Sequence, residues 1–165
     1  MRVAPRAVSG MTLLELMAAM ALMGMALALV RFSGDGISAE WRLRAAAHQV
    51  ENVVRFAQNA AATRGVRAQV MYDVPESALW VRLPGERQAM SYYALPSGIR
   101  FEHVRFVNGI AVSTDVAAAG AFADGSLDPH TVLLTNDKQQ AILLSFDRLT
   151  GEMYSREGSR DAVAP

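Results

Sequence analysis

Residues 11–30 read MTLLELMAAMALMGMALALV, and only Thr12, Glu15 and Gly24 stand outside the apolar class. At a helical rise of about 1.5 Å per residue, twenty such residues reach about 30 Å, the thickness of a bilayer's hydrocarbon core. The stretch is therefore long enough to span a membrane as one helix. The ten residues before it, MRVAPRAVSG, carry Arg2, Arg6 and the amino terminus but no acid. That positive excess predicts a cytoplasmic N-terminus, with the remainder of the chain in the periplasm or outside. Five of the nine methionines fall within the run, so the 52% hydrophobic content of the 165 residues is partly local. The rest of the chain is sized for one domain.

Three readings of this segment compete. A secretory signal peptide is favoured by the basic start and by Ala26-Leu27-Ala28, a pattern that signal peptidase cuts, but the run exceeds the usual h-region and contains a carboxylate. A plain anchor explains length and orientation and leaves Glu15 unexplained, since an ionised carboxylate deep in a bilayer costs at least about 2.5 kcal/mol. The third reading uses the acid. Gly10-Met11-Thr12-Leu13-Leu14-Glu15-Leu16 resembles the class III signal of type IV prepilins and type II secretion pseudopilins. That family has a short basic leader, a glycine before the cut and an acid five residues into the mature chain.

The resemblance implies that residues 1–10 are a leader and that a prepilin peptidase cuts between Gly10 and Met11 and N-methylates Met11. Methionine here replaces the family's usual phenylalanine. The freed amine would lie at the start of a helix, with Glu15 little more than one turn along it. In subunits stacked with an axial offset, Glu15 of one approaches the Met11 amine of the next. Both charges are then paired in lipid, so a penalty on the monomer becomes a signal for assembly.

Residues 31–65 are expected to form a kink followed by an amphipathic helix that continues into the head. Arg31-Phe32-Ser33-Gly34-Asp35-Gly36 interrupts the apolar pattern with two glycines, each costing a helix about 1 kcal/mol relative to alanine. Beyond it, Leu43, Ala46, Val50, Val53, Ala57 and Ala60 recur at spacings of three and four, an apolar stripe for packing on a sheet. Gly65 is a natural stop, with Arg64 suited to the negative end of the helix dipole. Five arginines against two acids between residues 40 and 67 read as a solvated helix face.

After Gly65 the period becomes two. Val66, Ala68, Val70 and Tyr72 alternate with Arg67, Gln69 and Met71, and further strands are expected at 78–83, 88–95, 99–107, 110–116, 131–134, 141–146 and 152–156. Asn108-Gly109 is a two-residue hairpin signal, and residues 117–129 read as a long surface loop. The fold class is α+β and pilin-like: a long N-terminal helix packed on one antiparallel sheet or two, with residues 66–165 as a periplasmic β domain. At finer grain the chain resembles minor pseudopilins of the GspH/FimT type. The helix tail near residues 58–64, the strand opened by Val66, and Leu144-Ser145-Phe146-Asp147-Arg148-Leu149-Thr150-Gly151-Glu152 carry that likeness, the last resembling the family's closing hairpin.

Catalytic constellations are missing from the sequence: there is no G-x-S-x-G, P-loop, H-E-x-x-H or dinucleotide fingerprint. The lack of cysteine removes disulfides, thiolate metal sites and a cysteine nucleophile. His48, His103 and His130 fall in unrelated segments and read as surface or cap residues. Asp124 and Asp128 alternate oxygens as a calcium loop does but lack its closing glutamate, so a turn with exposed aspartates is expected. Neither metal, cofactor nor enzymatic activity is expected.

Some FimT-like minor pilins bind DNA through basic C-terminal residues. Here the last fifteen residues hold two arginines against three acids, and residue 31 onward holds fourteen basic against fifteen acidic side chains. Attraction to phosphates would be weak, and DNA is not expected as a partner. The family likeness implies a minor pseudopilin of a type II secretion system, at or near the tip or initiating complex of the pseudopilus. It would be anchored by a single pass in the inner membrane and in contact with lipid. Its partners would be other pseudopilins, the prepilin peptidase, the inner-membrane assembly platform, and secreted cargo or the secretin. The alternative is a minor type IV pilin acting in pilus assembly, adhesion, twitching or DNA uptake.

Overall fold

The structure is a computed structural model that describes residues 13–86, 88–148 and 152–163, the side chains of residues 26–38 and of Val163 excepted. The chain divides into two compact units, Met1–Ser38 and Ala39–Pro165. Helix α1 covers Leu13–Arg64. The helix runs without interruption through residues 31–36, the stretch expected to kink. A glycine penalty of about 1 kcal/mol is too small to stop a helix that propagates from both sides.

In the second unit α1 presents Leu43, Ala46, Ala47, Val50, Val53, Val54, Ala57 and Ala61 to the core, all nearly inaccessible. This is the expected stripe widened by its neighbours, with Ala61 in place of Ala60, which is only partly buried. The helix ends as the sequence indicates. Gly65 takes a left-handed φ of 63°, and the Val66 amide donates to the Ala61 carbonyl at 3.1 Å. That is the six-to-one bond of a Schellman cap, satisfying a carbonyl the helix would otherwise leave open.

Two antiparallel sheets follow. The first contains β1 (Ala68–Asp73), β2 (Ala78–Arg82), β3 (Met90–Ala94) and β6 (Val116–Ala121) in the order β3-β2-β1-β6. The second contains β4 (Ile99–Phe106), β5 (Ala111–Val112), β7 (His130–Asn136), β8 (Gln140–Phe146) and β9 (Met153–Ser159) in the order β5-β4-β7-β8-β9. A short α2 (Arg160–Val163) follows β9. Both sheets contribute to one core with the helix: Val70, Tyr72, Leu79 and Val81 from the first, Phe101, Val104, Leu134 and Leu144 from the second.

Two expectations are corrected. Residues 117–129 are not one surface loop, because β6 pairs with β1 over six residues, from Ala68↔Ala121 to Asp73↔Val116. Ala117, Ala119 and Ala121 face the core and are buried. Alanine and glycine have poor strand propensity, so Val-Ala-Ala-Ala-Gly-Ala carries no local strand signal, although small side chains suit the place it occupies. A Cβ on Gly120 would lie 2.7 Å from Asp128 Oδ2 and 2.8 Å from Arg67 Nη2. The bare glycine lets that carboxylate accept the Gly120 amide at 2.9 Å.

The second correction concerns Asn108-Gly109, whose turn has three residues rather than two. Phe106 donates to the Ile110 carbonyl and Gly109 donates to the Phe106 carbonyl. Only Gly109 has positive φ, at 85°. A two-residue type I′ turn needs positive φ at both centres, whereas a type I turn closed by one left-handed residue needs it once. The β7–β8 turn repeats the design with Gln139 at φ 61°.

The face assignment of α1 is testable. Ala57→Leu, which overfills a fully buried position, should destabilise the protein by about 1–3 kcal/mol in urea titrations. Ala45→Leu, on the exposed side, should change stability by no more than about 0.5 kcal/mol. Equal effects would contradict the orientation.

Candidate assembly site

Glu15 lies in the first turn of α1, where the helix dipole favours an anion. Its side chain is exposed, and so are its apolar neighbours: Leu13 and Leu14 are about four-fifths exposed, and Met17, Met20, Leu22, Met23 and Met25 about two-thirds or more. A continuous apolar surface of this kind is stable only against another apolar phase or another helix. Gly10 and Met11, the expected processing pair, lie outside the described residues. Among the described residues no helix is long and apolar enough to cross a membrane. The expected span, residues 11–30, runs past the described side chains at both ends.

The histidines do not come together. His48 is exposed on α1, 3.6 Å from Glu51. His103 sits half-buried on the outer face of the second sheet. His130 corrects the expectation of a surface position, because it is only 2% exposed and lies inside the core. Its Nδ1 is 2.6 Å from the Asp128 carbonyl oxygen. A carbonyl only accepts, so Nδ1 carries the proton, and Nε2 accepts from the Tyr72 hydroxyl at 2.9 Å. The ring stacks on Phe146 with centroids 4.8 Å apart. Tyr72 also meets Phe101 edge-on at 5.8 Å, so this aromatic group joins β1 of the first sheet to β4, β7 and β8 of the second. Nothing local announces the pair, since its members are 58 positions apart.

The two loop aspartates have separate duties. Asp124 Oδ1 accepts the Ser126 hydroxyl at 2.6 Å and the Ser126 amide at 3.0 Å, and these bonds hold its carboxyl below the usual range. Asp128 accepts from Gly120 and faces Arg67 at 3.5 Å. The Arg67 guanidinium lies 5.0 Å over the Phe122 ring. Among the described residues no three potential ligands cluster in a way that could hold a metal ion.

Comparison with known proteins gives two matches of different reach. The family described as "Prokaryotic N-terminal methylation motif" matches residues 5–30. Two solved structures of the minor pseudopilin EpsH from the type II secretion system of Vibrio cholerae share the fold. One aligns with a TM-score of 0.55 at 12% identity, covering 69% of this chain and 94% of that one. The other aligns with a TM-score of 0.54 at 13% identity, covering 72% and 96%. The chain joins a prepilin-like N-terminal motif to a minor-pseudopilin fold. No curated protein sequence matches it. The pseudopilin-like architecture, an N-terminal helix packed on antiparallel sheets, is the one expected from the sequence.

Burial pushes the His130 imidazole down to about 4, against the weaker opposing pull of Asp128. The neutral form is therefore the folded form. Between the unfolded value near 6.5 and the folded value near 4, the unfolded chain binds the extra proton, so stability is complete above pH 6.5 and falls as pH drops through this window. The slope approaches about 1.4 kcal/mol per pH unit. His103, lowered by its own desolvation and by Arg105, adds in the same direction. Urea titrations from pH 7.5 to 4.5 should show this decline. His130→Gln should lower stability at pH 7.5 and flatten the decline, and an unchanged slope would place the titration elsewhere.

Proposed function

We propose that this protein is a minor pseudopilin, a structural subunit of the periplasmic pseudopilus of a type II secretion system that acts through assembly and not through catalysis. The observation that carries this reading is the union, in one chain, of the methylation motif at residues 5–30 with a fold shared with EpsH. In this reading the prepilin peptidase cuts between Gly10 and Met11 and methylates Met11. Residues 11–30 anchor the chain in the inner membrane with the N-terminus cytoplasmic and the β domain periplasmic.

Glu15 then pairs with the Met11 amine of a neighbouring pseudopilin. Its first-turn position and the exposed apolar helix around it support that role. A place in the tip or initiating complex, reached through the inner-membrane assembly platform, belongs to the same proposal. So does contact with secreted cargo or the secretin.

The deciding measurement is the mass and N-terminal sequence of the membrane-extracted protein from cells with and without a prepilin peptidase. A peptidase-dependent start at methylated Met11 is expected, and an uncut chain or a start near residue 29 would overturn the proposal. Glu15→Ala should leave membrane insertion intact and reduce incorporation into fibres at least about tenfold, the loss of one charge pair worth about 1.4 kcal/mol. Unchanged incorporation would sink the charge pairing.

A further inference from the structure

The outer face of the first sheet carries an aromatic row that the core does not use. Val70, Tyr72, Leu79 and Val81 point into the core, so Met71 and Trp80 between them point outward, and register sets them side by side. Met71 pairs in turn with Ala118 on β6. At the other end Leu79 pairs with Tyr93 and Val81 with Met90, so Ser91 and Tyr92 together oppose Trp80. This bulge lets Met90 and Tyr93, three positions apart, both pack on the core and turns Tyr92 outward, 63% exposed.

The Trp80 and Tyr92 rings lie within 24° of parallel, with centroids 6.3 Å apart. Ser91, which sets up the bulge, takes a left-handed φ of 51°, a strained backbone for serine and of the kind that gathers at functional sites. The row Tyr92, Trp80, Met71, Ala118 is at least partly exposed along its whole length and crosses three strand spacings, about 14 Å. Its borders are polar. Gln69 and Arg82, paired across β1 and β2, flank it on one side and Asp73 on the other. Gln69 and Arg82 also line a cleft of about 420 Å³ with Arg67 and Glu86. Arg67 faces Asp128 and Arg64 pairs with Glu86, whereas Arg82 makes no ion pair among the described residues.

These features choose the ligand. One unmatched cation is too little for a phosphate chain. Both central strands, β1 and β2, are paired on each side, so an incoming strand finds no free backbone groups over the row. A strip one residue wide also falls well short of the roughly 800 Å² that each partner gives to a standard protein interface. A pyranose ring complements it better: its C–H face suits the negative face of an aromatic ring, and its hydroxyls reach the side chains of Arg82 and Gln69. Met71 and Ala118 offer no ring to stack on, and they suit a methyl group. The geometry points to this row as a binding site for a glycan chain of β-linked N-acetylhexosamine units. Its rings lie on Tyr92 and Trp80, and an acetamido methyl lies on Met71 and Ala118.

The probe is chitohexaose, titrated into the full chain in micelles of a detergent that contains no sugar. Trp41→Phe leaves Trp80 as the sole tryptophan, so its emission reports on the row alone. A saturable change at millimolar sugar or below is expected. Tyr92→Ala should weaken binding at least about tenfold at an unchanged thermal midpoint, whereas Tyr154→Ala, an exposed tyrosine on the second sheet, should leave it unchanged. Monomeric N-acetylglucosamine, too short for the row, and cellohexaose, which lacks the acetamido methyl, should both bind more weakly.

Absence of a saturable change, or binding indifferent to Tyr92→Ala, would overturn the inference. So would cellohexaose or the monomer binding as tightly as chitohexaose, because the row would then not be reading an N-acetylated chain. Tighter binding of oligothymidylate would overturn it as well, by showing a stacking surface for bases.

Discussion

Everything in the second unit depends on the narrowness of one helix face. From Leu43 to Ala61, α1 offers the core valines, alanines and a single leucine, and small side chains allow a backbone to approach a sheet closely. Two sheets share that face and complete one core around it. A larger residue at Ala46 or Ala57, both fully inaccessible, would force the sheets outward together, because close-packed interiors transmit volume changes instead of absorbing them. The same demand for small side chains recurs at β6, where alanines face inward and Gly120 leaves room for the Asp128 carboxylate.

Within this apolar core the Tyr72–His130 hydrogen bond is a buried polar link between the sheets. Its net contribution in free energy is modest, about 1 kcal/mol for a satisfied bond, but breaking it strands a buried donor or acceptor at a larger cost. The pair thus specifies how the sheets meet more than it strengthens them. The backbone carbonyl of Asp128 decides the imidazole tautomer, so the loop that positions Gly120 and Arg67 also orients the core histidine.

The two units place opposite demands on their surroundings. The second buries its apolar side chains internally, while the described part of the first leaves leucines and methionines exposed around a single acid. That division is what the proposed role requires: a folded head that keeps its shape, and a helix whose apolar surface is satisfied by lipid before assembly and by neighbouring helices after it.

The N-terminal motif, the helical stripe, the stop at Gly65 and most strands were legible because each is written in contiguous residues. Periodicity, a charged start and turn glycines are local signals, and helix caps and alternating strands form where they say. The tertiary structure alone decided that residues 116–121 form a strand, that the strands divide four and five between two sheets, and that His130 belongs inside. Each of these depends on which distant segment lies alongside, as when β1 lends its edge to an alanine-rich strand with no strand signal of its own. Pairing and burial of that kind are properties of contacts between residues far apart in the chain, and local pattern does not encode them.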